Sequence, residues 1–218
     1  MKTLQRLTLA AVAATSLATA LSACAPLVIG GAAMTAMVAV DRRTSGIQLE
    51  DEGIELRAAN RIREALGSRV HVNVTSYNRQ VLLTGEVPDE AARQTVEQIA
   101  GRVENVRGVI NELAIGAPSS LSQRSNDLLV AGKVKATLID ARDLSAPAFK
   151  VVTERGIVYL MGRVTTREAE RATALVRTVG GVQRVVRAFE IISEDELRRL
   201  QPPQAAPAAA PVSSATAR

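Results

Sequence analysis

Val81-Leu82-Leu83-Thr84-Gly85-Glu86-Val87 returns 77 residues later as Val158-Tyr159-Leu160-Met161-Gly162-Arg163-Val164. Each copy is followed by a helical pattern and then by a valine-rich strand, Val106 to Leu113 and Val182 to Phe189. A repeat of this length is one small folded unit used twice. What the protein does then turns on how the two copies differ.

The pattern around each copy predicts helix, two strands, helix, strand. In the first, Leu56, Ala59, Ile62, Ala65 and Leu66 fall on one helical face, and strands over Val70–Ser76 and Gln80–Glu86 flank a short turn at Tyr77-Asn78-Arg79. A second helix over Asp89–Val103 turns Ala92, Val96, Ile99 and Val103 to one side, and Val109, Asn111 and Leu113 alternate in the last strand. In the second copy, a helix over Asp127–Ile139 turns Val130, Val134 and Leu138 inward, and a hairpin closes around Glu154-Arg155-Gly156. Thr165 with Glu168 three residues on reads as a capping box opening a helix whose inward side is Ala169, Ala172, Thr173, Val176 and Val179. Val185, Arg187 and Phe189 complete the sheet. Gly85 and Gly162 hold equivalent strand-end positions, where a bend or a close backbone approach is expected. The fold class is α+β: two tandem αββαβ domains, each a three-stranded mixed sheet packed against two helices.

Composition supports a core built from aliphatic residues, since 47% of the chain is hydrophobic and only 2% aromatic. The charge is uneven. Residues 54–116 balance eight arginines against eight acids, whereas residues 127–192 set eleven basic groups against seven acids. The second domain carries most of the excess, which fits an anionic partner as well as it fits a plain solvated basic surface.

The start of the chain reads as an address. Lys2 and Arg6 precede an apolar run from Leu7 to Leu21, and Leu21-Ser22-Ala23-Cys24 follows. This is a secretory signal, and its end resembles the lipobox of bacterial lipoproteins. That resemblance implies cleavage before Cys24, a diacylglyceryl group on its sulfur and an acyl group on its new amine. Cys24 is the one cysteine of the chain, so no internal disulfide competes. A buried core cysteine is the alternative, and Cys24 lies outside both repeats. Ala25, where enteric-type lipoproteins retained at the inner membrane have Asp, favours the outer membrane. Ala25 to Val40 is apolar but shorter than the roughly 20 residues of a spanning helix. The expected organisation is a signal peptide over 1–23, lipidated Cys24 with an apolar and polar tether over 24–53, domains over 54–116 and 127–192, a linker over 117–126, and a polar then Pro/Ala-rich disordered tail over 193–218.

The hairpins ending in Gly85 and Gly162, with the closing strands Val106-Arg107-Gly108-Val109-Ile110-Asn111 and Gly181-Val182-Gln183-Arg184-Val185-Val186, resemble the BON domain. Asn73-Val74-Thr75-Ser76-Tyr77, Ser125-Asn126-Asp127 and Val164-Thr165-Thr166-Arg167-Glu168-Ala169 extend the match. Two such units behind a lipobox resemble the DolP family of dual BON-domain outer-membrane lipoproteins, from Met1 to about Ile192. The resemblance implies a lipid-anchored, periplasm-facing protein that supports outer-membrane integrity, binds anionic phospholipid through its second BON domain and gathers at division sites.

The first helix of the second copy carries the sharpest difference. With Val130, Ala131, Val134 and Leu138 inward, the outward half holds Leu128, Leu129, Gly132, Lys133, Ala136 and Ile139, with Lys135 at its edge. In the first copy the outward residues are Arg57, Asn60, Arg61 and Glu64, and Leu129 is matched to Arg57. Leucines beside lysines suit an anionic bilayer; packing of Leu128 and Leu129 against the first domain or the linker over 117–123 is the alternative. Proteins of the family this chain resembles can carry a tryptophan in this helix, and Leu129 is matched to that position in a chain without Trp. The expected phospholipid-binding set is Leu128, Leu129, Gly132, Lys133, Lys135 and Ala136.

No constellation for catalysis is expected. His71 is the only histidine, no Cys/His cluster offers a metal site, and no Gly-rich loop has phosphate-binding spacing. No cofactor is expected beyond the acyl groups on Cys24. Export and the scarcity of stacking aromatics disfavour nucleic acid, and domains this small disfavour a small-molecule substrate. A protein-interaction adaptor, gripping an envelope protein by a strand edge or the basic domain, is the competing function.

Overall fold

The structure, a computed structural model, describes residues 41–200. The signal peptide, Cys24, the apolar run that follows it and the Pro/Ala-rich tail beyond residue 200 lie outside the described residues. Two αββαβ domains are present. The first runs α1 (Ser45–Leu66), β1 (His71–Tyr77), β2 (Gln80–Val87), α2 (Glu90–Gly101), β3 (Gly108–Asn111) and β4 (Ala114–Ile115). The second runs α3 (Leu121–Asp140), β5 (Lys150–Glu154), β6 (Ile157–Val164), α4 (Thr166–Arg177) and β7 (Arg184–Ile191), and α5 (Glu194–Leu200) follows.

Both sheets are mixed. β2 is central in the first, antiparallel to β1 and parallel to β3, with β4 continuing the β3 register along it. β6 is central in the second, antiparallel to β5 and parallel to β7. Both hairpins turn on two residues with positive φ, Asn78 and Arg79 in one, Arg155 and Gly156 in the other, the backbone twist that two-residue hairpins favour. An aspartate from the first helix of each domain holds its turn. Asp51 accepts the backbone N–H groups of Asn78 (2.8 Å) and Arg79 (2.7 Å), and Asp127 those of Arg155 and Gly156 (both 2.8 Å). Gly85 and Gly162 do mark close backbone approaches: a Cβ would lie 2.0 Å from the His71 carbonyl oxygen at one and 2.3 Å from that of Ala148 at the other.

Each domain has its own core. Ile54, Ala58 and Ile62 of α1 and Ala92, Val96 and Ala100 of α2 cover Val81, Leu83 and Val87 of β2. In the second domain Val130, Val134 and Leu138 of α3 and Ala169, Ala172 and Val176 of α4 cover Val158, Leu160 and Val164 of β6, and the Phe149 and Phe189 rings meet edge to face at 6.0 Å. The opposite faces of the central strands are also buried. Tyr77, Leu82, Tyr159, Met161 and Ala188 form a third cluster drawn from both sheets. The sheets therefore pack against each other, and the helices cover their outer faces.

Several expectations are corrected. Asp41–Gly53 is not a tether: Thr44 caps α1, and Ser45 to Gly53 already lie within that helix. Arg42 forks onto Glu168 of the second domain at 2.7 and 2.8 Å and donates to the Arg163 carbonyl at 2.7 Å. Arg43 pairs with Asp41 and Asp51 and lies over the Tyr77 ring. Leu56 and Ala65 do not face inward, because the turn-holding Asp51 fixes the helix phase and buries Ile54, Ala58 and Ile62; Leu56 is 63% exposed. The linker over 117–126 is helical from Leu121, six residues ahead of the expected start, because Ser120 and Gln123 form a capping box there. Residues 194–200 are helical rather than disordered, with Leu197 buried and Glu196 bonded to Arg163.

Glu168 ties these parts together. Burial raises its pKa, but the bonds from Arg42 and the Thr165 amide more than offset this, so it titrates below its ordinary 4.5. A carboxylate with a depressed pKa adds stability above its unfolded pKa and loses it as pH falls through the folded value. Arg42→Ala, which leaves this charge buried and unpaired, is expected to destabilise the protein at pH 7 by about 3–5 kcal/mol. The gap to the wild type should narrow on acidification below the ordinary value of 4.5, measured as urea unfolding at several pH values.

Candidate functional site

Helix α3 sits on the second sheet through Asp127, Val130, Val134 and Leu138. Opposite this seam two rows lie side by side, Leu128-Gly132-Lys135-Ile139 and Leu129-Lys133-Ala136, at the three- and four-residue spacing that makes neighbours on a helix. All seven residues are exposed, Leu128 at 75% and Leu129 at 66%. Packing of these leucines against the first domain or the linker is therefore not what the described residues show. The only lysine in an ion pair among the described residues is Lys150, with Glu55; the ammonium groups of Lys133 and Lys135 face solvent.

The shared aspartates correct the alignment of the two copies. Asp51 and Asp127 do the same work, and Ile54, Ala58 and Ile62 correspond to Val130, Val134 and Leu138. Leu129 therefore matches Gly53, not Arg57, and Arg57 matches Lys133. The equivalent face of α1 carries Glu52, Gly53, Leu56 and Arg57, whose guanidinium is held by Glu50 at 2.6 Å. With Ala59, Asn60 and Arg63 completing it, that face mixes one acid with two arginines, of which Arg57 is paired, whereas the face of α3 carries only unpaired lysines as its charges.

A second constellation lies between the sheets. His71 and Glu86 are directly opposite in the β1–β2 register, and His71 Nδ1 is 2.9 Å from Glu86 Oε2. Glu86 also accepts the Ser119 amide at 3.1 Å, and Arg155 Nη1 stands 4.0 Å from its Oε1. Glu154, at the end of β5, accepts from Asn73 Nδ2 at 2.8 Å. Burial raises the Glu154 pKa, the Asn73 bond opposes this, and the neighbouring Glu86 charge adds to the rise. The sequence reading left His71 without a partner. The Glu86 contact was legible, since a two-residue turn at Asn78-Arg79 pairs residue 71 with residue 86; Glu154 arrives from the other sheet, which periodicity does not place. Among the described residues no other cluster of His, Cys, Asp and Glu brings three ligand atoms within metal-binding range.

Because the outer face of α3 makes no packing contact that its side chains would have to give up, Leu129→Glu and the pair Lys133→Glu/Lys135→Glu are expected to leave stability within about 0.5 kcal/mol of the wild type, measured by thermal unfolding.

Residues 54–117 and 126–193 match the BON domain model. The chain is 35% identical over 174 residues, 79% of its length and 90% of the relative's, to the outer membrane lipoprotein DolP of Haemophilus influenzae. It is 32% identical over 155 residues, 70% of its length and 80% of the relative's, to a 21 kDa hemolysin of Actinobacillus pleuropneumoniae. A solved structure of CdsD, a structural protein of the type III secretion system of Chlamydia trachomatis, aligns over 70% of this chain and 96% of its own at 12% identity and a TM-score of 0.27, too low to bear on the arrangement of the domains. The chain is a dual BON-domain protein of the DolP family.

Proposed function

We propose that the protein is a non-catalytic outer-membrane lipoprotein, anchored through acylated Cys24 and facing the periplasm, whose second BON domain docks on anionic phospholipid through Leu128, Leu129, Gly132, Lys133, Lys135 and Ala136. The observation that carries this reading is the outer face of α3, where exposed leucines stand beside unpaired lysines with no acid among them, while the matching face of α1 mixes Glu52 with Arg57 and Arg63 and pairs Arg57 with Glu50. Each leucine entering the acyl boundary contributes roughly 1.5–3 kcal/mol, and each lysine near an anionic surface about 1 kcal/mol. Two of each suffice for reversible docking and not for permanent attachment. Acylation supplies the attachment, since each buried CH₂ adds about 0.8 kcal/mol. The DolP relative's name supports the outer-membrane, lipid-anchored part of the reading. The family resemblance supports roles in outer-membrane integrity and at division sites. The chain has no tryptophan and so lacks the interfacial anchor that amphipathic aromatic rings provide.

One observation favours the adaptor reading: Leu49 and Leu56, two turns apart on α1 with Glu52 between them, are 71% and 63% exposed. An acidic neighbour disfavours an anionic bilayer there and suits a protein surface. Flotation separates the two. The chain over 25–218 is expected to float with vesicles containing phosphatidylglycerol and not with neutral phosphatidylcholine vesicles, and Leu129→Glu to abolish flotation. Flotation that Leu129→Glu leaves unchanged would remove α3 as the contact. Failure to float with either vesicle, together with a specific cross-link through α1, would establish the adaptor.

A further inference from the structure

We propose that His71, Glu86 and Glu154 form a binding site for a divalent first-row cation of the Zn²⁺ type, one that links the two BON domains across their sheet interface. The three residues come from β1, β2 and β5, and one ligand atom from each lies within 4.8 Å of the other two. His71 Nδ1 and Glu86 Oε2, 2.9 Å apart, fit two ligands on one ion, because bonds of about 2.1 Å then meet at roughly 90°. The longest separation in the set exceeds the span of two such bonds by less than about 1 Å, within reach of a side-chain rotation at Glu154.

The chemistry of the set points the same way. One imidazole and two carboxylates are borderline and hard donors that suit Zn²⁺ or Mn²⁺, and two carboxylates balance a divalent charge. Glu86 is 1% exposed, and its Oε1 is buried without a hydrogen-bond partner. The nearest positive group, the Arg155 guanidinium, stops at 4.0 Å on a side chain that is 45% exposed. A buried carboxylate oxygen left so is costly unless something binds it. The Ser119 amide on Glu86 and the Asn73 amide on Glu154 hold the two carboxylates in place, as outer partners do around metal ligands. An open cleft of about 350 Å³, with His71, Asn73 and Glu154 along it, runs from the cluster to Leu128 and Lys135 and gives an ion its way in.

The single histidine makes the test direct. The full chain, untagged, in detergent micelles and carrying Cys24→Ser to remove its only thiol, is titrated with Zn²⁺ while the imidazole nitrogens are followed by long-range ¹⁵N–¹H NMR. One equivalent of Zn²⁺ is expected to shift the one imidazole, with Mg²⁺ leaving it in place. His71→Ala and the isosteric Glu154→Gln are each expected to weaken binding, read by calorimetry, by roughly tenfold or more. An imidazole that responds to pH but not to Zn²⁺ would overturn the proposal, since a proton would then be what neutralises the pair. Zn²⁺ affinity unchanged from the wild type in both variants would overturn it as well.

Discussion

Contact between the two sheets governs the rest of the molecule. β2 and β6 each turn one row of side chains to their own helices and the other row to the opposite domain, so both strands are buried nearly throughout. A domain of about 60 residues buries a smaller fraction of its surface than a larger one does and is marginal alone. Sharing Tyr77, Leu82, Tyr159, Met161 and Ala188 gives each domain a second core. The polar rim reinforces it: Lys150 with Glu55, Asn73 with Glu154, Arg184 with Glu112, and the Arg42 fork on Glu168 all cross between the first-domain and second-domain segments. With the sheet faces consumed, the helices are what remains outside, and α3 becomes available to a surface.

Duplication then explains how one unit serves two ends. Both copies keep the aspartate on the hairpin turn, the inward helix positions and the tight glycine. The fold depends on those positions, and the outer helix face is free to differ. In α1 that face holds the Glu50–Arg57 pair; in α3 it holds two leucines and two unpaired lysines. The excess positive charge of the second domain adds a longer-range attraction to any anionic surface.

Much of this was legible in the sequence where local rules decide. Repeated hairpins, the Thr165–Glu168 capping box and the close approach at Gly85 and Gly162 follow from turn chemistry and side-chain alternation. The outward set on α3 followed from helical phase because Val130, Val134 and Leu138 leave little choice. The first domain misled because Leu56 is apolar yet exposed, while the buried position belongs to Asp51, a residue that hydropathy counts as outward. The same oversight shifted the pairing of the copies and matched Leu129 to Arg57. Arg42 and Arg43 read as tether residues because their partners, Glu168 and Asp51, lie 126 and eight residues away. The His71–Glu86–Glu154 cluster required the packing of one sheet on the other, which no periodicity encodes.

The central claim is that, of the two helix faces that sheet packing leaves outside, the leucine- and lysine-bearing face of α3 and not the equivalent face of α1 meets an anionic membrane. Paramagnetic broadening of backbone amides by spin-labelled lipid in anionic bicelles maps that contact residue by residue. The account predicts broadening concentrated on Leu128, Leu129, Gly132, Lys133, Lys135 and Ala136 and absent from α1. Broadening centred on Leu49 and Leu56, or spread evenly over both helices, would contradict it.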